Sequence, residues 1–136
     1  MIIAKNFNID GVKAKPYLKI SLTLKKVGIR RHYKGYPRMA YAIYLVMEDE
    51  SRLEAMMKEV YMPVAEKYTC SWESVERSMR SLRDMIWKNY REQLCAMTGF
   101  ELTEPPQESY LLEIFATYIK HGNLDQALQE LEEENE

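Results

Sequence analysis

Apolar residues recur along most of the chain at helical spacing. Trp72, Val75, Met79, Leu82 and Ile86 follow one another at steps of three and four, which lays one apolar stripe along a helix predicted from Trp72 to about Tyr90. Pro37 suits the first turn of an earlier helix reaching about Met47, with Met39, Ile43, Val46 and Met47 facing inward. Ser51 and Glu54 read as a capping box for the next helix, which Pro63 must interrupt or kink because it lacks an amide hydrogen and clashes with the preceding turn. A short segment over residues 64–68 follows, then a break at Thr69-Cys70, then Ser71 as N-cap of the long helix. Another short helix ends at Gly99, Pro105-Pro106 mark a loop, and residues 107–120 form a helix closed by Gly122. Leu124, Leu128 and Leu131 allow one more, weaker helix.

One stretch fits two templates. Between Tyr17 and Val27, Leu18, Ile20, Leu22 and Leu24 alternate with Lys19, Ser21, Thr23 and Lys25, as in a half-buried strand. Ile20, Leu24 and Val27 also share one helical face, and period alone slightly favours the strand. Residues 1–15 read as an arm or short strand with a turn at Asp10-Gly11. The fold class expected is all-α, in three parts: the arm (1–15), a helix-turn-helix domain (16–122) and an acidic helix or tail (123–136).

Composition narrows the class. With 136 residues and 46% apolar content, the chain can bury one real core. No signal peptide is recognisable, and no run approaches the roughly 18 apolar residues of a membrane span. Cys70 and Cys95 lie outside any Cys-x-x-Cys or Cys/His cluster, which suits a reducing cytoplasm and argues against a disulfide scaffold or a zinc site. No metal or other cofactor is expected. The net charge of −2 conceals strong sorting: nine bases and no acid lie between Gly11 and Met47, whereas eleven acids and one lysine lie between Glu92 and Glu136. Such asymmetry points to a basic face for an anionic partner, unless folding brings the two signs together.

Two segments carry candidate chemistry. On the helix from Trp72, the arc opposite the apolar stripe holds Glu73, Ser74, Glu76, Arg77, Arg80, Ser81 and Asp84. Arginine can chelate guanine O6 and N7, glutamate can accept from cytosine N4, and serine reaches bases or phosphates. A short helix, a tight turn and this longer helix make helix-turn-helix syntax, although an amphipathic helix with a solvated face has the same pattern. The second segment is Gly28-Ile29-Arg30-Arg31-His32-Tyr33-Lys34-Gly35-Tyr36, a basic loop that can serve phosphates or can simply be solvated. Catalysis has little support, since His32 and His121 lack a partner at catalytic spacing and no glycine-rich phosphate loop is present.

The run Gly28-Ile29-x-x-His32-x-Lys34-Gly35-Tyr36, then Ala42-Ile43, Tyr61, Ala65-x-Lys67-Tyr68 and Val75-Glu76-Arg77-x-Met79-Arg80, ending at Trp87, resembles the DNA-binding effector domain of the stage zero sporulation protein A family of response regulators. The match runs without gaps from Val27 to Trp87 and more loosely over roughly residues 17–120. It implies an all-α domain whose helix-turn-helix docks in the major groove of double-stranded DNA, and it turns residues 17–27 from strand to helix. Carried over by position, Glu76 and Arg77 match base-reading positions, and Arg80 a phosphate-facing one. His32 and Lys34 match the family's loop, so phosphate contacts are expected from them, from neighbouring Arg30 and Arg31, and from Ser71. A homodimer on DNA and a contact of the 107–120 helix with RNA polymerase are further implications.

The departures from the pattern matter. A base-reading arginine is replaced by Ser74, a histidine by Ser81, and the proline before the short helix is displaced to Pro63. Loss of one bidentate contact to guanine costs roughly 1–3 kcal/mol of discrimination. The N-terminal receiver domain usual in the family has no room in front of the match, so the chain is either a free-standing relative, which Met1 favours, or a fragment. The competing function is a protein-interaction adapter that keeps the helix-turn-helix as scaffold.

Overall fold

The computed structural model describes the backbone of residues 11–121 and the side chains of residues 16–121. Six α-helices run through them: α1 (Gly11–Lys26), α2 (Tyr36–Glu48), α3 (Met62–Tyr68), α4 (Trp72–Asn89), α5 (Arg91–Thr98) and α6 (Glu108–His121). A 3-10 segment, Glu50–Ala55, and a π-helical segment, Met57–Tyr61, lead into α3. No strand occurs among the described residues, and the all-α class holds. Gly11 to Lys15, placed in the expected arm, already belong to α1. Residues 1–10, the closing Gly122, the weaker helix through Leu124, Leu128 and Leu131, and the acidic tail lie outside the described residues.

The stretch that fitted two templates is helical. Ile20, Thr23, Leu24 and Val27 are all fully buried, at the i, i+3, i+4, i+7 spacing of one helix face, while Leu22 of the alternating set is only partly covered. Thr23 sits in the core without cost to its hydroxyl, because Oγ1 donates to the Lys19 carbonyl at 2.8 Å. The helix stops in a Schellman motif: the Gly28 amide donates to the Lys25 carbonyl and the Ile29 amide to the Leu24 carbonyl. Gly28 has φ +82°, and a Cβ there would stand 2.1 Å from the Tyr90 ring. Both the backbone sign and the close aromatic neighbour therefore require glycine.

The segment before α3 departs from the expected capping box. The cap is Asp49, not Ser51: its carboxylate accepts from the Ser51 amide at 3.0 Å and from the Ser51 hydroxyl at 2.6 Å. Those bonds hold the Asp49 carboxyl below its usual range. Pro63 then falls in the first turn of α3, where it would leave the Glu59 carbonyl without an i+4 amide. Two adjustments absorb it. The backbone widens, with the Met62 amide donating to the Met57 carbonyl, and Arg52 donates to the orphaned Glu59 carbonyl at 2.7 Å.

The core lies between α1, α2, α4 and α6. Phe115, Leu111 and Leu112 of α6 and Met39 and Ile43 of α2 are fully buried in it, together with Ile20 and Leu24 of α1. Val75, Met79, Leu82 and Ile86 of α4 join the same cluster, so the apolar stripe lands where its spacing put it. That stripe fixes which side of α4 is left to face outward.

Candidate nucleic-acid interface

Helix α3, a three-residue turn over 69–71 and helix α4 form the helix-turn-helix. α3 ends in a second Schellman motif, with the Cys70 amide donating to the Ala65 carbonyl at 3.0 Å and the Thr69 amide to the Glu66 carbonyl at 3.4 Å. Here the left-handed position is held by Thr69, at φ 52° and ψ 57°, where a β-branched side chain is strained. Ser71 caps α4 as expected: its Oγ accepts from the Ser74 amide at 3.1 Å and donates to Ser74 Oγ at 3.2 Å.

Opposite the buried stripe, Glu73, Arg77, Arg80, Ser81 and Asp84 are exposed along the crest of α4. The two flanks of that crest differ in chemistry. On the α2 side, the loop before α2 presses close to α4: a Cβ on Gly35 would meet Leu82 Cδ1 at 3.0 Å. Arg38 reaches across from α2, and its Nη1 donates to the Ser74 carbonyl at 3.2 Å and to Ser78 Oγ at 2.8 Å. Between loop and helix lies an open groove of about 380 Å³ lined by Tyr33, Lys34, Arg38, Ser74, Arg77 and Ser81, among others.

On the α6 side the cations are already engaged. Arg80 pairs with Glu76 at 2.6 Å and with Glu108, in the first turn of α6, at 3.8 Å. Arg83 pairs with the same Glu108 at 3.6 Å and with Asp84 at 3.0 Å. These groups stand around Tyr61, whose phenol is pushed up by burial first and then by the carboxylates of Glu108 and Glu76. The Arg80–Glu76 pair is largely exposed and worth about 0–1 kcal/mol, whereas Glu108 is half-buried and its ties to Arg80 and Arg83 are screened less.

The structure thus gathers only part of the sequence-predicted set. Lys34, Arg77 and Ser74 share one groove. Arg30 and Arg31 are exposed beside a second hollow of about 220 Å³, which Lys25, Ser21 and Tyr36 also line. His32 lies against the Tyr33 ring with centroids 5.0 Å apart. Glu76 and Arg80, assigned to base and phosphate, bond to each other instead of standing free. Arg38 was missed because nothing local marks it: its partners on α4 lie 36 and 40 residues away. The Glu76–Arg80 pair did carry a signal, the i,i+4 spacing of opposite charges.

Among the described residues no group of His, Cys, Asp and Glu could hold a metal ion, and no helix is long and apolar enough to cross a membrane. Residues 20–119, more than half of the chain, match the family model described as sporulation initiation factor Spo0A C terminal.

Proposed function

The chain belongs to that family, which makes it a DNA-binding domain of the transcription-regulator kind, and we propose that it reads double-stranded DNA by sequence with α4 in the major groove. The observation that carries this reading is the crest of α4, where exposed Arg77 stands beside the Lys34-lined groove and neither is paired with a carboxylate among the described residues. Arg77 is the base reader at the centre of the crest, with Ser74 and Glu76 on either side of it. Lys34, Arg30, Arg31 and His32 from the loop, Ser71 at the start of α4, and Arg80 once released from its carboxylates, serve the phosphates. A second copy on DNA, contact of RNA polymerase with the outer side of α6, and a cytoplasmic location belong to the same reading.

The decisive experiment is binding of the purified chain to a duplex carrying the family's promoter box, beside a scrambled duplex, over a range of salt. Tighter binding to the box supports specific reading, and Arg77→Ala should then lose about tenfold or more on the box and much less on the scrambled duplex. Equal losses on both duplexes would show that Arg77 does not read bases. Absence of binding to either duplex at low salt would leave the adapter reading, which the carboxylates around Arg80 and the exposed Phe100 beside Pro105 favour.

A further inference from the structure

Arg38 lies in the first turn of α2, yet its guanidinium is fixed to α4. Both of its bonds, to the Ser74 carbonyl and to Ser78 Oγ, use Nη1. The donors on Nε and Nη2 take no acceptor among the described residues. Both partners are neutral, so they hold the side chain without cancelling its charge. No described carboxylate lies within ion-pair distance of Arg38, Lys34 or Arg77, and all three line one groove together with the hydroxyl-bearing Ser74, Ser78 and Ser81. Like charges gathered without a counter-ion repel one another, and an anion entering the groove relieves that repulsion.

We propose that Arg38 is a contact to a backbone phosphate of the bound duplex, gripping it together with Lys34 at the α2 edge of α4. This rests on the DNA reading above and adds a residue to it. The groove lies at the flank of the crest, where the wall of a major groove passes, and its donors suit a tetrahedral anion with several acceptor oxygens. Because Nη1 is already tied to α4, the guanidinium loses little further freedom when it binds, which a solvated lysine of the loop does not share. The ligand chemistry is a phosphate group, and its source is either the duplex backbone, to which we assign it, or a free phosphorylated solute.

Arg38→Gln removes the cation and, because the glutamine nitrogen ends near where Nε stood, also the tie from Nη1 to Ser78, whereas Arg38→Lys keeps the charge without the forked tie. The glutamine variant should still fold cooperatively on the buried stripe of α4, bind both box and scrambled duplexes about tenfold more weakly at low salt, and show a salt slope smaller by about 1. Arg38→Lys should keep the slope. Wild-type affinity and slope in Arg38→Gln would overturn the proposal, as would a loss confined to the box with the slope unchanged, because Arg38 would then only position α4. If Arg38→Gln does not fold, the Nε–H resonance of Arg38 in the wild-type chain decides: it must move when duplex is added, and a stationary signal overturns the contact. Inorganic phosphate at constant ionic strength should compete only at millimolar levels, whereas displacement of duplex at micromolar levels would assign the groove to a free solute. A wild-type chain that binds neither duplex sinks the DNA reading itself, an outcome distinct from a binding chain indifferent to Arg38.

Discussion

The two Schellman motifs use the same hydrogen bonds but different residues at the left-handed position, Gly28 in one and Thr69 in the other. Threonine at φ 52° carries the penalty of a Cβ crowded against the following carbonyl, about 1–2 kcal/mol. Thr69 is exposed and makes no side-chain hydrogen bond among the described residues, so nothing on the folded side offsets that penalty. Thr69→Gly removes the crowding and gives back about 0.5–1 kcal/mol through the greater freedom of glycine in the unfolded chain. The net expectation is a domain more stable by about 0.5–1 kcal/mol. Urea unfolding followed by far-UV circular dichroism reads this as a midpoint higher by about 0.3–0.5 M, taking a slope of about 2 kcal/mol per molar. The slope itself should not change, because the same surface is exposed on unfolding. Duplex affinity should stay within about twofold, since α4 is held by its buried stripe and by Arg38, not by the turn residue. A midpoint at or below that of the wild type would refute the reasoning and show that Thr69 contributes more to the turn than its strain removes.

Three further perturbations test other links. Gly28→Ala should destabilise by about 3 kcal/mol in the same urea assay, combining the left-handed penalty with displacement of the Tyr90 ring, and a loss under about 1 kcal/mol would mean the ring swings aside freely. Met79→Asp forces a carboxylate into a fully buried position without a partner, so a loss of at least about 4 kcal/mol and of the cooperative transition is expected, and a folded variant of near wild-type stability would contradict the placement of α4. Glu108→Gln removes one carboxylate from Arg80 and Arg83, and should raise affinity for scrambled duplex roughly two- to fivefold with a steeper salt slope. Unchanged binding would show that Arg80 and Arg83 play no part in backbone contact.

What could be read from the sequence was what depends on near neighbours. The stripe of α4 and its Ser71 cap each need only a few consecutive residues, and both stand as read. The strand-like alternation over 17–27 misleads because Lys19, Ser21 and Leu22 are each only half covered, whereas Thr23, polar by type, fully buries by bonding to its own helix. At the start of the 3-10 segment, Asp49 and Ser51 were both chemically able to cap, and the backbone placed the extended residue at Asp49. Pro63 announced an orphaned carbonyl at Glu59, but which donor would serve it depended on the fold bringing Arg52 alongside. Arg38 is the furthest case, since its role exists only once α2 and α4 are packed.

The asymmetry of the two flanks gives the interface a direction. Along α4, apolar packing sets the rotation of the helix about its axis, and polar ties on both sides then steady it: neutral acceptors for Arg38 on one flank, carboxylates for Arg80 and Arg83 on the other. On the DNA reading, a duplex approaching the crest meets at the α2 edge cations that pair with no carboxylate among the described residues, so attraction there needs no rearrangement of them beforehand. On the same reading, Arg80 at the α6 edge must first leave Glu76 and half-buried Glu108, an exchange that costs little at the more open Glu76 pair, more at Glu108, and leaves two carboxylates near the phosphates. On the DNA reading, the α2 edge therefore supplies most of the salt-dependent affinity, while the α6 edge penalises any approach that brings the backbone too near Glu108. On that same reading, with Ser74 too short to reach far into a groove, it is this electrostatic tilt that would orient Arg77 over the bases.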